Sequence, residues 1–85
     1  MKYLELIKTK TTKSNKDLAR AFGYNVRTFE RYAQNGKYPT ALEVCARTVW
    51  YDAFRTANSD NIQRRLDEYL QMMIDLNDSE EEEEL

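Results

Sequence analysis

Apolar residues along this 85-residue chain recur at helical intervals, with no strand-like alternation between turn signals. In "KYLELIKTK" Leu4 and Ile7, with Tyr3, share one helical stripe, and "TTKS" interrupts it. Ser14 followed by Asp17 resembles a capping box with Asp in place of the usual Glu. It predicts a second helix, ending at Gly23, whose inner face is Leu18, Ala19 and Phe22. A third helix is expected over residues 25–34, with Phe29 and Tyr32 inward. "NGKYP" stops it, because Gly36 suits a left-handed cap and Pro39 cannot continue a helix. Thr40 and Glu43 have the spacing of a T-x-x-E capping box. They open a fourth helix with a wide apolar face of Leu42, Cys45, Ala46, Val49, Trp50, Ala53 and Phe54.

"TANSD" separates a fifth segment, in which Ile62, Leu66, Tyr69, Met73 and Leu76 alternate by four and three residues. That spacing makes a narrow seam, as in a coiled coil of barely two heptads. The seam can cover the core of its own chain or meet the same seam on a second copy, and both readings stand. The second, together with the thin core of so short a chain, leads us to expect a homodimer. The fold expected is all-α, a compact bundle of four or five helices with an acidic, disordered C-terminal tail. It divides into a core over residues 1–58, an amphipathic helix over 59–77 and the tail over 78–85.

Charge changes the picture only when it is read by region. The net charge is −2, yet residues 1–40 carry nine Lys/Arg against three Asp/Glu, a balance of +6. Residues 41–85 carry four against twelve, a balance of −8. Phosphate attraction acts over about a Debye length, so the first half suits an anionic partner although the whole chain does not. No apolar run approaches a membrane span and the start lacks a signal-peptide pattern, so a cytoplasmic protein is expected. The single cysteine, Cys45, is expected to be a plain buried thiol.

The stretch "DLARAFG", then "VRTFERYAQNGKYP", places Ala19 four residues before Gly23, with apolar Phe29 and Tyr32 six and nine residues after it. A small residue lets a second helix approach closely, and the glycine takes the positive φ of a tight turn between crossed helices. With the helix that follows, residues 14–50 resemble the phage-repressor and Cro-like family of helix-turn-helix regulators. Tyr24 departs from the pattern, since the family usually has a smaller aliphatic residue there.

The resemblance implies a sequence-specific duplex-DNA-binding regulator of phage or mobile-element type, with the third helix as the recognition helix. Carried across, the base-reading positions are Asn25, Val26, Arg27, Thr28, Glu30, Arg31 and Gln34. Their chemistry suits a major groove: Arg bridges guanine O6 and N7, Gln pairs with adenine, and Glu accepts from cytosine. The alternative is that Arg27, Glu30 and Arg31 form a solvated charge cluster supporting their own helix. Lys10, Lys13, Lys16, Arg20, Lys37 and Tyr38 surround this helix, and Ser14 and Asn15 stand at the start of the one before it. This set is expected to hold phosphates.

Catalysis is not expected. Without His there is no His-based triad, and one Cys cannot assemble a Cys/His zinc site, so neither metal nor cofactor is expected. Six tyrosines could suggest stacking on single-stranded RNA, but Tyr24 and Tyr32 are better placed as motif core. The five glutamates at 80–84 are either solubilising or compete with phosphate for the basic face. A second functional reading is a small phage-type protein that binds a host protein, its acidic half mimicking DNA.

Overall fold

Each of the five segments forms a helix in a computed structural model that describes residues 2–56 and 61–84. Helix α1 (Tyr3–Lys10) has no side-chain cap at Lys2. Instead Glu43 Oε2 accepts the Tyr3 amide N–H at 2.9 Å, setting a carboxylate at the positive end of the helix. The capping box expected at Thr40 and Glu43 is therefore not made. Helix α4 (Thr40–Thr56) begins with the Pro39 carbonyl accepting the Glu43 amide at 3.1 Å, and the Glu43 side chain serves α1.

Helix α2 (Asn15–Phe22) starts as its sequence suggests, with Ser14 Oγ accepting the Asp17 amide at 3.2 Å. It ends at Gly23, whose φ of 78° only glycine adopts without strain. The Gly23 amide turns back to the Arg20 carbonyl and the Tyr24 amide to the Ala19 carbonyl, satisfying two carbonyls the helix end would leave bare. Three residues, Gly23, Tyr24 and Asn25, then lead into α3 (Val26–Asn35). The same closing arrangement recurs at Gly36.

One apolar cluster joins all five helices: Leu4 and Ile7, Leu18, Ala19 and Ala21, Phe29, Leu42, Ala46, Val49 and Ala53, then Leu66, Leu70 and Ile74. Two expectations for α4 fail. Cys45 and Phe54 are exposed, because the buried stripe at residues 42, 46, 49 and 53 has a strict helical period and both fall outside it. Helix α5 (Ile62–Glu84) packs on α2, α4 and α1. Its buried line is Leu66, Leu70 and Ile74, with Ile62, Tyr69 and Met73 half-buried beside it and Leu76 60% exposed. A straight helix of 3.6 residues per turn drifts off a seven-residue seam, so four of the five seam residues turn to their own core.

The backbone of α5 stays helical through Glu84, where a disordered tail was expected from residue 78. Extending a packed helix needs no new nucleus, and Glu is a good helix former. The boundary between residues 58 and 59 and Leu85 lie outside the described residues. No helix among those described is long and apolar enough to cross a membrane.

Asp67 ties the α1–α2 connection to α5. Its carboxylate accepts from the Thr11 hydroxyl, the Thr12 amide at 3.0 Å and the Thr12 hydroxyl at 2.7 Å. Burial alone would raise its pKa, but these donors and the nearby Lys13 charge together hold it below its ordinary value. A carboxylate depressed in the folded state stabilises fully above its unfolded pKa and loses that contribution as pH falls through the folded one. Acid should therefore loosen the α1–α2 connection below about pH 4. In thermal melts at pH 7 and pH 3, Asp67→Asn should show a smaller pH difference than the parent. An equal difference would mean that Asp67 contributes nothing to acid sensitivity.

Candidate nucleic-acid interface

Helix α3 is fixed by one fully buried side chain, Phe29, and by half-buried Val26 and Tyr32. The Phe29 ring lies 6.1 Å from that of Tyr38, and Tyr32 meets Tyr24 edge-on at 6.2 Å. The extra bulk of Tyr24 thereby packs the turn against α3 through Tyr32. The main neighbour of α3 is α2. Its opposite face points away from the core.

That free face carries Arg27, Glu30, Arg31 and Gln34, all exposed and spaced to form one stripe. No ion pair or side-chain hydrogen bond joins Arg27, Glu30 and Arg31, so the self-supporting charge cluster is not formed. Arg27 and Arg31 are both exposed and make no ion pair among the described residues. The other three base-reading candidates sit differently. Asn25 is the N-cap, its Oδ1 accepting the Arg27 amide at 3.0 Å and the Thr28 amide at 3.4 Å. Val26 packs against the core cluster, and Thr28 is half-buried at the edge of the stripe.

The phosphate candidates divide likewise. Lys10, Lys16 and Lys37 are exposed and carry no ion pair among the described residues. Asn15, half-buried, is the first residue of α2. Lys13 donates to Gln71 Oε1 at 2.6 Å, and Ser14 is occupied as a cap. Arg20 is held by Asp78 at 2.6 Å, with Asp17 at 3.9 Å. Tyr38 donates to Glu5 at 3.0 Å, and burial followed by that bond pushes its phenol well above the ordinary value. It is a clasp between α1 and the α3–α4 connection, which places it poorly for a phosphate.

Sequence reasoning missed Asn77. Its Nδ2 donates to the Arg20 carbonyl at 2.8 Å and the Ala21 carbonyl at 3.0 Å, capping the last turn of α2 from α5. With Asp67 on the connection that leads into α2 and Asn77 at the end of α2, α5 ties down both the entry to that helix and its last turn, and α2 in turn carries α3. Nothing local signals such a role, since the partners lie 56 or 57 residues apart. Lys2 was missed as well, its Nζ donating to the Gly36 carbonyl at the end of α3.

No protein-family model, curated protein or solved structure matches the chain.

Proposed function

We propose that this chain binds duplex DNA in a sequence-specific manner as a small transcriptional regulator. In this reading α2 and α3 are a helix-turn-helix and α3 enters the major groove. The observation that carries it is the stripe of Arg27, Glu30, Arg31 and Gln34: without ion pairs among the described residues, on a helix seated on its neighbour through a three-residue glycine turn. Unpaired guanidinium groups on a rigid helix are what bidentate reading of guanine requires, and Gln and Glu add complementary acceptors and donors. Lys10, Lys16 and Lys37 supply the positive charge that would set the register on the backbone.

A site selected from random duplexes provides the test. Arg27→Ala and Arg31→Ala should each weaken binding to it by about 1–3 kcal/mol and relax preference at one position. Lys16→Ala and Lys37→Ala should weaken all duplexes alike, each lowering the salt slope by about one. If both arginine variants bind the selected site as tightly as the parent, α3 does not read bases and the assignment fails.

A further inference from the structure

Among the described residues, the exposed large apolar side chains are Val44, Tyr51, Phe54, Met72 and Leu76, and all five lie on α4 and α5. Helix α4 is thus apolar on two sides. Its inner stripe fills the core, while Val44, Tyr51 and Phe54 stand outside it, spaced around Arg47 by three, four and three residues. The Arg47 guanidinium lies 5.7 Å from the centre of the Tyr51 ring. A helix apolar on both sides is normally covered on both. Arg, Tyr and Phe are also the residue types enriched where protein surfaces meet.

The exposed apolar residues fall into two sets with opposite charge beside them. On α4 the outer stripe is flanked by Arg47 and Arg55, both exposed, with Arg55 3.9 Å from Asp52 of its own helix. On α5 Met72 and Leu76, one helical turn apart, are flanked by Asp75 and by Glu68, which also pairs with Arg64 at 3.8 Å and Arg65 at 3.7 Å. From Leu66 to the end of the chain there are nine carboxylate side chains and no Lys or Arg. Each copy therefore carries a basic–apolar stripe and an acidic–apolar stripe. We infer that a second copy of this chain docks here, the outer stripe of α4 receiving the Glu68–Leu76 stretch of α5 from the partner and the reverse. Such an exchange is self-complementary and closes as a two-fold dimer.

The size of the surface agrees. With the two aromatic side chains presenting about 150–250 Å² in full and the three aliphatic ones somewhat less, five half-exposed residues offer roughly 400–500 Å² of apolar area per copy. Two copies then supply about 800–1,000 Å², close to the apolar share of a standard interface of ~1,600 Å². The exposed face of α3 shares no residue with either stripe. This dimer is not the one expected from the heptad seam, whose residues mostly face their own core, and it does not rest on DNA binding.

Sedimentation of the full chain without DNA, over micromolar to hundreds of micromolar concentrations, tests it. The parent should dimerise. Arg47→Glu with Arg55→Glu should weaken self-association at least about tenfold, and so should Glu68→Lys with Asp75→Lys, because each sets like charges together. An equimolar mixture of the two variants should regain the dimer, since reversed charges meet reversed charges at one contact and native charges meet at the other. All four positions are exposed, and the intrachain pairs of Arg55 and Glu68 are surface pairs worth under about 1 kcal/mol each, so circular dichroism should still show a helical fold. A parent that stays monomeric throughout overturns the inference, and so does a mixture that sediments no faster than its components.

Discussion

Replacing Phe29 with alanine is expected to remove about 3–5 kcal/mol of folding free energy, the usual cost of deleting a fully buried aromatic side chain. For 85 residues, the typical total is only about 4–13 kcal/mol. Phe29 is the one residue of α3 among the fully buried core, packed beside Tyr38, while Val26 and Tyr32 only lean on the cluster. Its loss should therefore release α3 before the rest of the bundle. Urea titration should show a much lower midpoint, and α3 amides should exchange faster than those of α4. DNA binding should disappear with the helix, although Phe29 touches no solvent. A variant that unfolds within about 1 kcal/mol of the parent, with α3 still protected, would show that α3 is held by something other than this ring.

What the sequence made legible depends on how far apart the interacting residues are. Gly23, Gly36 and the Ser14 cap were readable because each interacts with backbone within five residues of itself. Glu43 has the right spacing for its own helix but is claimed by Tyr3, 40 residues away. Asp67 and Asn77 are ordinary polar residues on a helix until the partners they reach in the first quarter of the chain are known. Hydrophobic character misled at Cys45 and Phe54, because composition does not say which of two apolar sides of α4 meets the core. In the candidate interface, helical spacing identified the Arg27–Arg31 face. It could not show that Asn25 is used as a cap, that Val26 leans inward, or that Arg20 is bound by Asp78.

The second large effect concerns α5, where two packing schemes make opposite predictions for the same pair of substitutions. Leu66 is wholly enclosed, whereas Leu76 is 60% exposed. Leu66→Asp loses the packing of a buried leucine, about 3–5 kcal/mol in comparable cores. It also sets a carboxylate where no described residue is a buried polar or charged one. The combined penalty is comparable to the stability expected of the whole chain, so Leu66→Asp should be largely unfolded at neutral pH by circular dichroism. Leu76→Asp removes no core contact. It should melt within a few degrees of the parent, while weakening the dimer in which Leu76 meets the partner's α4. Had residues 62, 66, 69, 73 and 76 formed a seam between chains around an independently folded core, both substitutions would act alike. Each would then give a folded, helical monomer. The two outcomes differ in a single melt of each variant, and a folded monomeric Leu66→Asp would return α5 to the role of an interchain coil.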